Sequence, residues 1–140
     1  SLINLKKTFH KALDTNILVR FLVQDDEEQA NKVLQLFSEA EQLNQSLYVP
    51  LLVILEVIWV LQSAYNASRQ DIIMTMTNLL QMSVLEFESQ GALRDFIISA
   101  NNHSYDLSDI LISQSALSAT CETTLTFDKK ASKFELFTQL

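Results

Sequence analysis

With 140 residues, 48% of them hydrophobic and 19% charged, the chain is long enough to bury a core as one domain and too apolar to be disordered. One glycine and one proline argue against long irregular loops, and the lone Cys121 excludes an internal disulfide or a cysteine-built zinc site. A net charge of −7 opposes phosphate binding in bulk, but six of the ten basic residues fall in two groups: Lys6, Lys7 and Lys11, then Lys129, Lys130 and Lys133.

The stretch from Ser1 to Lys7 is too polar for a signal peptide. The most apolar run, Leu51 to Leu61, is 11 residues long, whereas a bilayer span takes about 20. A soluble protein of the reducing cytoplasm is expected. In chain order, residues 8–13 read as a strand ending at Asp14 and residues 16–23 as a short helix. The acidic block Asp25-Asp26-Glu27-Glu28 opens a helix to about Leu43, with Ala30, Val33, Leu34, Phe37 and Ala40 at helical spacing. Residues 46–49 form a second strand, and Pro50 starts a helix over 51–64. Ser68 caps a helix over 69–81, followed by a strand at 84–87 and helices over 90–101 and 107–119. Residues 123–127 read as a strand, and a last one lies near 134–138. Short apolar strands alternating with helices predict an α/β fold around a parallel sheet. A single domain over 1–140 is expected, with no repeat or linker.

Four carboxylates, Asp14, Glu56, Asp109 and Asp128, need an explanation. Glu56 interrupts Leu51–Leu61, where ten of eleven residues are apolar. It lies either on the one solvated stripe of its helix or in a cleft, where a cation compensates a charge that burial would penalise. Asp14 ends the first strand, where ligand sites of parallel α/β sheets lie, and equally suits a helix cap. Asp106 and Asp109 are three apart on one face of a first helical turn, and Asp128 closes a strand before Lys129-Lys130. A shared site for Mg²⁺ or Mn²⁺, which prefer oxygen ligands, accounts for all of them. His10 and His103 are isolated, and Gly91 alone makes no phosphate loop.

Leu13-Asp14-Thr15-Asn16-Ile17-Leu18-Val19-Arg20-Phe21-Leu22, with Asp25-Asp26 after it, resembles the opening of PIN domains of the VapC toxin type. Val53 to Leu61 around Glu56, Asp106-Leu107-Ser108-Asp109-Ile110-Leu111-Ile112, and Thr126-Phe127-Asp128-Lys129-Lys130-Ala131 resemble that family's second, third and fourth motifs, in order. Glycines common in the family's loops are missing, as at Thr120-Cys121, and several residues precede the usual first strand. The resemblance implies a Rossmann-like central parallel sheet of four to five strands flanked by helices. It also implies an acidic pocket for one or two Mg²⁺ or Mn²⁺ ions and hydrolysis of single-stranded RNA. Carried over residue by residue, Asp14, Glu56, Asp109 and Asp128 would be the catalytic metal ligands and Asp106 an accessory acid. Asn16 and Thr126 would be hydrogen-bonding supports.

The implied chemistry is in-line attack on a phosphodiester by a water that the metal ions activate. Lys129, Lys130 and Lys133 would hold the RNA backbone outside the acidic pocket. A homodimer and a cognate antitoxin, binding to the helices of 16–43 and 51–64, are implied as partners. Two other readings remain open. An aspartyl phosphatase wants a second Asp where this chain has Asn16. A catalytically silent PIN-like binding module is separated from an enzyme by whether divalent metal stabilises the fold.

Overall fold

The computed structural model describes residues 11–140. Its elements are β1 (Lys11–Ala12), α1 (Thr15–Val23), α2 (Glu27–Gln42), β2 (Leu47–Val49), α3 (Leu51–Ser63) and α4 (Arg69–Leu80). They continue as β3 (Leu85–Phe87), α5 (Gln90–Asn102), α6 (Leu107–Ser118), β4 (Thr124–Thr126), a turn of 3-10 helix (Ala131–Lys133) and β5 (Phe137–Gln139). Each expected helix is present, with its ends within one or two residues of the pattern. The first strand is shorter in the described part, because residues 8–10 of the expected strand lie outside it.

All recorded strand pairing is parallel. β2 lies between β1 and β3, with Leu47 opposite both Lys11 and Leu85. β4 pairs with β5, Thr124 opposite Phe137. The five strands therefore fall into a set of three and a set of two among the described residues, rather than one continuous sheet. Leu13 N–H extends the β1–β2 edge to Tyr48 O at 2.8 Å.

Strand and helix residues feed one buried apolar cluster. Val49, Ile54, Val57, Ile58, Ile72 and Phe96 are fully enclosed at its centre. α3 packs against both α1 and α6, and α5 against α6. Helix starts follow the sequence signals. Asp26 accepts from Gln29 N–H at 3.0 Å, and Ser68 from Asp71 N–H at 3.1 Å. Pro50 has no side chain to cap α3, so Glu88, 37 residues away, accepts from Leu51 N–H at 3.1 Å.

The scarcity of glycine is met at the helix ends. Asn44, Asn66 and Thr120 take left-handed backbone conformations, the last with φ 69°. After α6, Thr120 N–H reaches Leu117 O and Cys121 N–H reaches Ala116 O, at 2.9 and 3.0 Å, the paired bonds of a closure that favours glycine. A β-branched residue is strained there by about 1–2 kcal/mol, while glycine loses more chain entropy on folding. Thr120→Gly is therefore expected to raise the unfolding free energy by about 0.5–1 kcal/mol. A denaturant midpoint that is unchanged or lower contradicts this.

Candidate active site

The loop between α5 and α6 and the exit of β4 build one acidic cavity. Asp106 caps α6, its Oδ1 accepting from Asp109 N–H at 3.1 Å, and the helix lifts Asp109 one turn further on the same face. Across from them, Thr126 Oγ1 accepts from Asp128 N–H at 3.0 Å. Asp128 Oδ1 then accepts from Lys130 N–H at 2.8 Å and Ala131 N–H at 3.3 Å. These bonds fold the chain after β4 into its 3-10 turn. Asp106, Asp109, Asp128 and Lys130 line a cavity of about 370 Å³ with Ser104, Tyr105, Ala131 and Phe134.

Electrostatics single out Asp109. Burial, then the neighbouring Asp106 and Asp128 carboxylates, hold its carboxyl above the ordinary Asp range. A divalent cation would relieve that repulsion, and an all-carboxylate donor set suits Mg²⁺ or Mn²⁺. The residues thus fit the group in donor chemistry. The caps use Oδ1 of Asp106 and Asp128, so a role at a helix start and a role toward a cation are compatible in one residue.

The other expected acids sit apart from this cavity. Asp14 is the exposed N-cap of α1, with Oδ1 accepting from Thr15 N–H at 2.7 Å. Glu56 is exposed on α3, between Leu52 and Trp59 at 78% and 62% exposure, so it occupies the solvated stripe of that helix. Their helices adjoin α6 through α3. As the side chains stand, no three Asp, Glu, His or Cys among the described residues are close enough to hold a metal ion. Asn16 is exposed and lines a different depression between α1 and α2, while Thr126 Oγ1 lies against Asp128 N–H. Lys129, Lys130 and Lys133 are exposed, as is Lys11; Lys6 and Lys7 lie outside the described residues.

Two braces around the cavity were not visible in the sequence. Arg69, at the start of α4, donates to the carbonyls of Tyr105 (2.6 Å), His103 (2.7 Å) and Ala100 (3.2 Å), clamping the loop that delivers Asp106. Burial pulls its guanidinium below the ordinary value and the Asp106 charge opposes that. Tyr105 stacks on Phe134 at 4.6 Å between ring centres, and its hydroxyl donates to Lys133 O at 2.8 Å. That joins the wall carrying Asp106 and Asp109 to the wall carrying Asp128. A serine cap before Arg69 marks a helix start, but nothing local signals a reach of more than 30 residues.

Residues 11–135 match the PIN domain model, and the chain belongs to that family. It is also similar to a VapC ribonuclease of Aquifex aeolicus (strain VF5), with 32% identity over 87 residues. That alignment covers 62% of this chain and 64% of the relative, so less than two thirds of the relative's length is matched.

Proposed function

We propose that this PIN domain is a metal-dependent endoribonuclease that hydrolyses phosphodiester bonds of single-stranded RNA, as the toxin of a toxin–antitoxin pair. The observation that carries the reading is Asp109, held above its ordinary value by burial and then by Asp106 and Asp128, at a cavity that Lys130 borders. The similarity to a VapC ribonuclease supports the substrate class.

In this reading Asp14, Glu56, Asp109 and Asp128 are the ligands of Mg²⁺ or Mn²⁺, and Asp106 is an accessory acid. When bound, such a cation supplies water with a lowered pKa and neutralises charge on the phosphodiester. The chain's own residues position the site. Thr126 and the backbone of Lys130 and Ala131 fix Asp128, and Asp106 fixes the first turn of α6; Asn16 is kept as a hydrogen-bonding support beside Asp14. Lys129, Lys130 and Lys133 hold the RNA backbone at the rim.

The partners we propose are single-stranded RNA, a cognate antitoxin and a second copy of the chain. The apolar depression between α3 and α6, lined by Leu52, Leu55 and Ile112 beside the exposed Trp59, suits the homodimer. A monomeric mass by light scattering at micromolar concentration contradicts the dimer. No helix among the described residues is long and apolar enough to cross a membrane, and a cytoplasmic location is part of the proposal.

The deciding assay is cleavage of a single-stranded RNA by wild type and Asp14→Asn, prepared identically, with Mn²⁺, Mg²⁺ or EDTA. Cutting by wild type with metal, abolished by EDTA and reduced at least about 100-fold by Asp14→Asn, is expected. Equal cutting by both proteins removes Asp14 from the site. Absence of metal stabilisation together with absence of cutting favours the silent binding module.

A further inference from the structure

β4 leaves one aromatic ring without a structural role. Along Thr124–Thr126 and into the next residue, Thr124 and Thr126 are half-buried, whereas Leu125 and Phe127 on the opposite face are 61% and 78% exposed. The other described phenylalanines, Phe21, Phe37, Phe87, Phe96, Phe134 and Phe137, are all buried or half-buried. Phe127 is the exception, and the core gains little from it.

Its position is well fixed. The Thr126 Oγ1 bond to Asp128 N–H spans Phe127, and the Asp128 bonds to Lys130 and Ala131 hold the next turn. The ring therefore projects from a pinned backbone one residue before a carboxylate of the acidic cavity. Two exposed cations, Lys129 and Lys130, follow at once, and Lys130 borders the cavity itself. An exposed aromatic face beside lysines is the pairing that holds single-stranded nucleic acid, the ring taking a base and the cations its phosphates. A duplex hides its base faces in the stack, so such a ring favours unpaired strands. A protein partner would use the apolar strip of Leu125 and Phe127, but it would leave the adjacent lysines and acidic cavity unexplained.

We propose that Phe127 stacks on an unpaired base of the RNA next to the phosphodiester held at the cavity, with Lys129 and Lys130 on the flanking phosphates. This rests on the nuclease reading and adds to it the residue that selects single strands.

The test is stopped-flow fluorescence of a single-stranded oligoribonucleotide carrying 2-aminopurine, mixed with Mn²⁺-loaded protein and followed through binding and cleavage. Wild type is expected to change the 2-aminopurine signal on binding. Phe127→Leu, which keeps an apolar side chain of similar bulk, is expected to weaken single-strand binding about 5- to 30-fold and to raise KM more than it lowers kcat. Phe127→Trp is expected to keep both the signal and the affinity. Duplex RNA, bound more weakly, is expected to lose no affinity in either variant. Phe127→Leu binding single strands like wild type, or losing the same factor on duplex, overturns the inference while leaving the nuclease reading intact. A changed oligomeric mass in Phe127→Leu without changed RNA affinity assigns the ring to a protein contact and also overturns it. Wild type that neither binds nor cuts single-stranded RNA overturns both.

Discussion

Asp109→Asn is expected to lower RNA cleavage by at least about 100-fold while making the metal-free protein more stable at neutral pH. The two effects have one cause. The Asp109 carboxyl is raised above its ordinary value by burial and by the Asp106 and Asp128 charges, so the folded chain resists its ionisation. A group whose folded pKa is raised binds more protons in the native state than in the unfolded one, and stability falls as pH rises. Its favourable contribution is complete below the ordinary Asp value and is lost as pH climbs through the raised folded value. Above the raised folded value the contribution is absent, and asparagine, which carries no charge, removes the repulsion at every pH.

The measurement is the melting temperature against pH, without and with Mn²⁺, for wild type and Asp109→Asn. In EDTA the variant should melt higher than wild type near neutrality, and the gap should close toward pH 4. Added Mn²⁺ should stabilise wild type more than the variant, because a ligand that binds only the folded state stabilises in proportion to its affinity. An ordinary structural carboxylate gives a different pattern: the variant melts lower in EDTA, and metal shifts both proteins equally. That result would remove Asp109 from the proposed centre whatever the cleavage assay shows.

The helices were legible because their signals are local. Asp26, Ser68 and Asp106 mark starts by offering an oxygen to an N–H three residues on, and apolar spacing fixes the buried face between them. Pairing was less legible. The period of β1 predicts a strand, but not that the described part pairs with β2 alone while β4 and β5 form a separate pair. Choice of neighbour depends on contacts distant in sequence. Glu56 shows the limit of reading burial from composition. Ten apolar neighbours suggest an enclosed helix, yet Leu52, Glu56 and Trp59 share a stripe that no described element covers. Asp106, Asp109 and Asp128 of the third and fourth motifs line one cavity, whereas Asp14 and Glu56, expected at the same site, stand apart from it. Arg69 and Phe134 escaped notice because their work is done through carbonyls and rings that only the fold brings near.

Phe134 carries the second large expected effect. It is 1% exposed and stacks on Tyr105 at 4.6 Å, with His103 at 5.4 Å and Phe137 at 6.0 Å between ring centres. Phe134→Ala deletes a fully buried ring and should cost about 3–5 kcal/mol, near the top of the range for one substitution in a domain of this size. The loss has a local direction. The ring is the face against which Tyr105 lies, and Tyr105 is the residue that Arg69 clamps just before Asp106. Phe134→Leu retains most of the buried volume but not the stack, so its stability loss should be about 1–2 kcal/mol, while the separation of Asp109 from Asp128 is released. Urea unfolding measures the first quantity, and Mn²⁺ affinity of the folded Leu variant measures the second. If the ring does no more than fill space, Phe134→Leu will bind Mn²⁺ as wild type does. A several-fold weaker affinity in a protein that still unfolds cooperatively means that the aromatic contact across the cavity sets the spacing of its acids.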